Sequence, residues 1–261
     1  MIILAVVLII LYLIILLFFY HKQEALLFHP SKTAQDFQYK YPTAFEEKFY
    51  ETPNQGKIHT LYFKAENPKG VILYFHGNAG NLEDWGWVYQ NFVKLNYDIE
   101  IIDYRTFGKS TGKLSEKNFH TDAKFIFNKL KENYKEENIV IYGRSIGTGI
   151  ATKLASETKP KILILETPYF NIADLVNSIV PFIPAKLLLK YQFESNKFIT
   201  KVNAPIYILH GTKDEVIPFK NGQKLFNLVK DKAEFISFEN GTHSNLGTFS
   251  EFGLFLERVL E

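Results

Sequence analysis

A chain of 261 residues, 46% apolar and 22% charged, is long enough for one α/β domain and too apolar for general disorder. Its formal net charge of +2, with no dense Lys/Arg cluster, argues against a nucleic-acid partner. The absence of cysteine excludes disulfides, thiolate metal sites and a cysteine nucleophile.

Residues 1–20 carry no charged side chain and are almost wholly Ile, Leu, Val and Phe. As a helix rising about 1.5 Å per residue they extend roughly 30 Å, the thickness of a bilayer core. A cleaved signal would have a basic start and a small-residue cleavage site. Here no Lys or Arg precedes the run, and Phe18-Phe19-Tyr20-His21-Lys22 offers no such site. A buried core helix would show a polar face, which this segment lacks. The expectation is a single-pass transmembrane anchor over residues 1–20. Lys22, Lys32 and Lys40 follow it, so the positive-inside tendency places the next domain in the cytoplasm. Residues 21–42, broken by Pro30 and Pro42, read as a linker to a domain over 43–261. A chain beginning near Glu24 is then expected to be soluble and active.

In the domain, Ala44–Glu51 and Lys57–Ala65 read as a strand hairpin turned at Pro53-Asn54-Gln55-Gly56. Val71–Phe75 is a continuous apolar run, as expected of a strand buried on both faces. A helix over Leu82–Leu95, a strand over Ile99–Ile102 and a helix over Glu116–Tyr134 follow, the last with Phe119, Ala123, Ile126, Phe127 and Leu130 at helical spacing. Strands over Ile139–Tyr142, Ile162–Leu165, Ile206–Leu209 and Glu234–Phe238 then alternate with helices over Ile146–Glu157, Lys220–Lys230 and Phe249–Leu260. This rhythm predicts a mostly parallel sheet with helices on both faces. One stretch breaks it: residues 168–201 have no strand signal and are rich in Leu, Ile, Val and Phe. They are expected to form a small helical lid, with Phe182 and Leu187 as substrate-binding residues; packing on the sheet as ordinary core is the alternative.

Gly143-Arg144-Ser145-Ile146-Gly147 fits the nucleophile pattern G-x-S-x-G between a strand and a helix. Gly108-Lys109-Ser110-Thr111-Gly112 matches the same expression, but a loop separates it from the preceding strand, so Ser145 is preferred over Ser110. A serine nucleophile needs an oriented base and donors for the developing oxyanion. Asp214 lies in the loop after Ile206–Leu209 and is preferred to Glu166 as the orienting acid. His243 lies in the loop before the last helix and is the expected base. The order Ser…Asp…His is that of α/β-hydrolases. The oxyanion donors are expected to be the Ile146 N–H and, from His76-Gly77-Asn78-Ala79-Gly80, the Asn78 N–H.

His-Gly-Asn-Ala-Gly, Asp-Tyr-Arg-x-Phe-Gly-x-Ser, Gly-x-Ser-x-Gly, His-Gly-x-x-Asp and Gly-x-His occur in that order over roughly residues 25–261. The chain thereby resembles the membrane-anchored α/β-hydrolase-domain proteins, a group similar to serine aminopeptidase-like hydrolases and acyl-protein thioesterases. The resemblance implies an α/β-hydrolase fold and that Asp103, Tyr104 and Arg105 shape the site entrance; they are read here as structural. It departs at Thr106, where the family often has Gly. The expected activity is hydrolysis of acyl esters or thioesters of lipid-like substrates, with no metal or organic cofactor, no nucleic acid and no obligate protein partner. A peptidase, and a non-catalytic hydrolase fold used for binding, are the alternatives.

Overall fold

The computed structural model describes residues 1–261. Its chain begins with helix α1 (Ile2–Leu27) and the two-residue strand β1 (His29–Pro30), then the hairpin β2 (Phe45–Thr52) and β3 (Gly56–Phe63). After β4 (Gly70–Phe75) and β5 (Ala79–Gly80), short helices α2 (Leu82–Trp85) and α3 (Gln90–Val93) lead to β6 (Tyr97–Ile102). Then come α4 (Glu116–Leu130), β7 (Ile139–Arg144), α5 (Gly147–Ala155) and β8 (Ile162–Glu166). Three lid helices follow: α6 (Ile172–Ile179), α7 (Ala185–Leu188) and α8 (Ser195–Phe198). The chain closes with β9 (Ile206–Gly211), α9 (Lys220–Asn227), β10 (Ala233–Phe238) and α10 (Ser250–Leu260).

Eight strands make one sheet in the order β10-β9-β8-β7-β4-β6-β3-β2. β2 and β3 are antiparallel, β3 runs antiparallel to β6, and every other pairing is parallel. β4, β6 and β8 are buried along their whole length; Val71–Phe75 and Ile162–Leu165 accordingly read as unbroken apolar runs, whereas β6 carries Asp98 and Glu100 inside. One face packs under α4 and α5 through Phe119, Ile126, Phe127 and Ile150; the other packs under α10 through Phe252, Phe255 and Leu256. Phe75 pairs with Gly143, and Arg144 with Glu166, so the loops after β4, β7 and β8 emerge side by side. That carboxyl edge of a parallel sheet is where such folds bind ligands.

Three expectations are revised. The helix predicted over Leu82–Leu95 is α2, a 3₁₀ turn at Gly86–Tyr89, and α3. A Cβ on Gly86 would stand 2.0 Å from the Tyr41 hydroxyl, so the break lets an aromatic ring from the N-terminal segment approach. Next, α1 continues past residue 20 to Leu27. Its 18-residue core has a mean hydropathy of 3.6, making it a candidate membrane span. Finally, residues 28–42 are a strap rather than a free linker. β1 pairs with β5, Phe28 and Tyr39 are buried, and the Tyr41 hydroxyl donates to the Leu82 carbonyl (3.0 Å). Because Gln23 is also buried, against the lid, a chain beginning near Glu24 would lose part of the domain's own packing.

Glu100 on β6 is fully buried, with one carboxylate oxygen accepting from Thr60 Oγ1 (2.7 Å) and the other unpartnered. Burial pushes its pKa above the usual carboxylate range, with Lys48 opposing. A raised folded-state pKa means the protonated acid is the stable form. The stability it contributes is complete below the unfolded pKa and is lost as pH rises from there. Glu100→Gln keeps the Thr60 bond and removes the buried charge. It is expected to flatten the loss of stability above about pH 4 and to raise the midpoint at pH 7 by about 2–4 °C for each kcal/mol recovered, as thermal melts across pH would show.

Candidate active site

β7 runs into Gly143-Arg144-Ser145-Ile146-Gly147, and α5 starts on the last of these. Ser145 has φ 52°, a left-handed conformation uncommon for a residue with a side chain. The two glycines allow the turn. A Cβ on Gly143 would lie 2.6 Å from the Gly147 carbonyl oxygen, and one on Gly147 would lie 2.2 Å from that of Phe75. The Ser145 N–H donates to the Glu166 carbonyl (2.9 Å), which pins the turn to the next strand.

The structure brings Ser145, His243 and Asp214 together. His243 Nε2 is 3.0 Å from Ser145 Oγ, and Nδ1 is 2.9 and 3.1 Å from the two Asp214 oxygens. Asp214 Oδ1 also accepts from the N–H groups of Val216 (2.9 Å) and Ile217 (2.8 Å), so the loop after β9 fixes the carboxylate before His243 arrives. Burial by itself would raise the Asp214 pKa. Hydrogen bonds from His210, His243 and the Ile217 N–H outweigh it and hold the acid well below the usual carboxylate range. Asp214 therefore stays ionised through the neutral range. Such an array can take the hydroxyl proton on Nε2 while the carboxylate keeps Nδ1 protonated.

Glu166 is occupied elsewhere: it accepts from the Tyr142 hydroxyl (2.7 Å) and pairs with Arg144 (3.3 Å). Arg144 in turn donates to the His243 carbonyl (3.3 Å) and stacks 5.0 Å over the Trp85 ring. This bracket on the histidine loop had no sequence signal, because Arg144 fills a variable position of the serine motif.

Neither the Asn78 nor the Ile146 N–H donates to a protein acceptor, so both are free for an oxyanion. The Asn78 side chain points to α1, where Nδ2 donates to the Leu27 carbonyl (3.1 Å), and the Asn78 backbone carbonyl accepts from His29 N–H (2.8 Å). Gly77 leaves room for the Trp85 ring: a Cβ there would be 3.1 Å from it. The Tyr104 hydroxyl supports the loop by donating to the His76 carbonyl (2.7 Å).

Ser110 lies apart from this group and is fully buried. Its Oγ accepts from His59 N–H and donates to the Asp103 carbonyl, both at 2.8 Å. Arg105 is likewise structural: it forks onto Asp122 with two 2.8 Å bonds and donates to the carbonyls of Asn54 and Pro53 in the hairpin turn. Thr106 has φ 73°, a left-handed conformation that glycine adopts freely, so this β-branched residue is locally strained.

The lid consists of α6, α7 and α8 with no strand. Between it and α1 lies an apolar groove of about 420 Å³, lined by Phe19, Leu26 and Leu27 from the helix and Leu175, Ile179 and Ile183 from the lid. Phe182 and Leu187, expected to bind substrate, are not on its wall; they are 62% and 89% exposed on the lid's outer face. The composition of the lid marked it as apolar but could not say which side chains face inward.

The family described as "Serine aminopeptidase, S33" matches residues 66–198, just over half of the chain. An uncharacterized protein of Acanthamoeba polyphaga mimivirus is 32% identical over 240 residues, covering 81% of this chain and 79% of its own. Lysophosphatidylserine lipase ABHD12 of Mus musculus is 32% identical over 225 residues, 74% of this chain and 54% of the lipase. The chain thus spans about half the length of that relative. Among solved structures, the Pyrococcus furiosus esterase Pf2001 superposes with a TM-score of 0.68 at 19% identity, over 89% of this chain and 100% of the esterase. An α/β serine hydrolase homologue from Coxiella burnetii gives 0.66 at 20% identity, over 85% and 100%. By its sheet order, its serine turn and these matches, the chain belongs to the serine aminopeptidase (S33) family of the α/β-hydrolase superfamily.

Proposed function

We propose that the protein is a membrane-anchored serine hydrolase that cleaves acyl esters or thioesters of lipid-like substrates through an acyl-enzyme. The observation that carries this is the continuous Ser145–His243–Asp214 array, with hydrogen-bond distances of 2.9–3.1 Å along it. Ser145 Oγ attacks the acyl carbonyl carbon as His243 Nε2 takes its proton, and the N–H groups of Asn78 and Ile146 meet the oxyanion. His243 then protonates the leaving alcohol or thiol. Water, deprotonated by His243, attacks the acyl-enzyme, and the proton returns to Ser145 as the acid leaves. The lipase relatives and the apolar groove favour a lipid-like acyl group; α1 supplies the anchor. Lys22 and Lys40, both exposed after the span, favour a cytoplasmic domain. An aminopeptidase would need a free carboxylate for the substrate's amino group. Two carboxylates of the site, Glu166 and Asp214, are engaged by Arg144 and His243.

The test is an acyl-length series on the full chain in detergent, beside an aminoacyl amide and a fluorophosphonate probe. Each methylene buried in an apolar groove contributes about 0.8 kcal/mol, so kcat/KM is expected to rise up to about fourfold per carbon from acetyl toward octanoyl esters. A flat profile with strong amide cleavage would overturn the lipid-like reading, and failure to label would overturn serine catalysis.

A further inference from the structure

The outer face of the lid is as distinctive as its inner one. Between the end of α6 and α7 the chain reads Ile179-Val180-Pro181-Phe182-Ile183-Pro184, and Ile179, Phe182 and Leu187 are 66%, 62% and 89% exposed. These side chains do not stand alone on the surface. They continue the exposed apolar surface of α1, because the lid tip runs along that helix. At one end Gln23 Oε1 accepts from the Lys190 N–H (2.6 Å); at the other the Tyr12 hydroxyl donates to the Phe182 carbonyl (2.8 Å). Eleven helical residues separate the two attachments, about 16 Å at 1.5 Å per residue. That is roughly half of a 30 Å hydrocarbon core.

The chemistry of the two attachments fits that depth. Tyr12 has the one side-chain hydrogen-bond donor among residues 1–19, and it is spent on a non-helical carbonyl of the lid tip. Non-helical backbone at membrane depth is tolerated only when its polar groups find partners within the protein. Pro181 and Pro184 remove two N–H groups from the same turn, and Ile183 N–H donates to Val180. Near the Gln23 end, Tyr20, His21, Lys22 and Lys190 cluster, with the Lys190 ammonium 4.3 Å over the Tyr20 ring. Aromatic rings and basic side chains of this kind mark the water–lipid boundary. Lys186, the one charged residue from Ile179 to Leu189, sits where the chain is bonded back to Gln192 (3.0 Å).

We propose that the lid tip, residues 179–189, is a re-entrant membrane element lying one leaflet deep beside α1, with Phe182 and Leu187 against lipid tails and Ile179 at the mouth of the groove. The groove between lid and α1 then receives the substrate's acyl chain directly from the hydrocarbon of that leaflet. It ends at Leu27, whose carbonyl is bonded to the Asn78 side chain, one step from the oxyanion loop. This inference rests on the membrane-anchored reading above, but it assigns Phe182 and Leu187 to the bilayer instead of to the substrate.

The absence of cysteine makes depth measurable on the full chain. Leu8→Cys, Phe182→Cys, Leu187→Cys and Lys159→Cys, each made singly, carry a nitroxide label in phosphatidylcholine vesicles. Leu8 reports the anchor, and Lys159, exposed at the opposite edge of the sheet, reports water. Collision with oxygen relative to a water-soluble nickel complex is expected to be several-fold higher at 182 and 187 than at 159, matching position 8. If 182 and 187 follow 159 while 8 reports hydrocarbon, the re-entrant lid is wrong and the anchor stands. If 8 also follows 159, both readings fall.

Discussion

Ser145→Ala is expected to lower ester turnover by on the order of 10⁶, to abolish fluorophosphonate labelling, and to leave the thermal midpoint unchanged or slightly raised. In the proposed mechanism the Ser145 hydroxyl oxygen forms the acyl bond, and nothing else in the array can replace it. The fold does not need that side chain, because the bond that holds the turn is the Ser145 backbone N–H to Glu166. Ser110→Ala is the matched control with the opposite signature. It leaves the His59 N–H buried without a partner, at a cost of about 1–3 kcal/mol, while turnover per folded molecule persists. Activity and melting data on the pair separate chemistry from architecture. A dead Ser110→Ala alongside an active Ser145→Ala would reverse the assignment.

Asp214→Asn is expected to reduce kcat by about 10⁴ with little change in KM, and the direction follows from the loop. Val216 and Ile217 direct two N–H groups at Oδ1, so the amide of asparagine will place its oxygen there and its NH₂ toward His243. His243 Nδ1 must then accept, which moves the ring proton to Nε2, the atom that faces Ser145 Oγ at 3.0 Å. The base is blocked by its tautomer, not by displacement. Steady-state kinetics and a structure of the variant with an unchanged ring position would check this; full activity in Asp214→Asn would refute an orienting role for the acid.

The sheet and the three triad positions were legible because each has a local signature. β4 and β8 are apolar runs over Val71–Phe75 and Ile162–Leu165, and Ser145 follows a strand and precedes a helix between two glycines. What escaped depends on contacts distant in sequence. The strap at residues 28–42 is ordered by β1 pairing with β5 some fifty residues away, and its polar and aromatic composition reads locally as a linker. The helix end at Leu27 was hidden because its last turns, His21–Leu27, leave the apolar pattern while remaining good helix formers held by lid contacts. Arg144 brackets the His243 loop from a position the serine motif leaves open. The exposure of Phe182 and Leu187 is set by which side of a two-proline turn faces α1, and a hydropathy run contains no such information.

The bonds that Gln23, Glu24 and Leu27 accept from the lid and from the loop after β4 join α1 to the hydrolase domain without a flexible tether. If α1 is fixed in a bilayer, the orientation and height of Ser145 over that bilayer are fixed with it, and the site samples a two-dimensional population of molecules. The concentration that governs its rate is then the mole fraction of ester in the leaflet. Adding inert phospholipid at constant bulk ester slows such an enzyme, whereas diluting the whole suspension with buffer does not. For a chain built in this way, the composition of the surrounding membrane acts as a control on flux, independent of how much substrate the compartment holds.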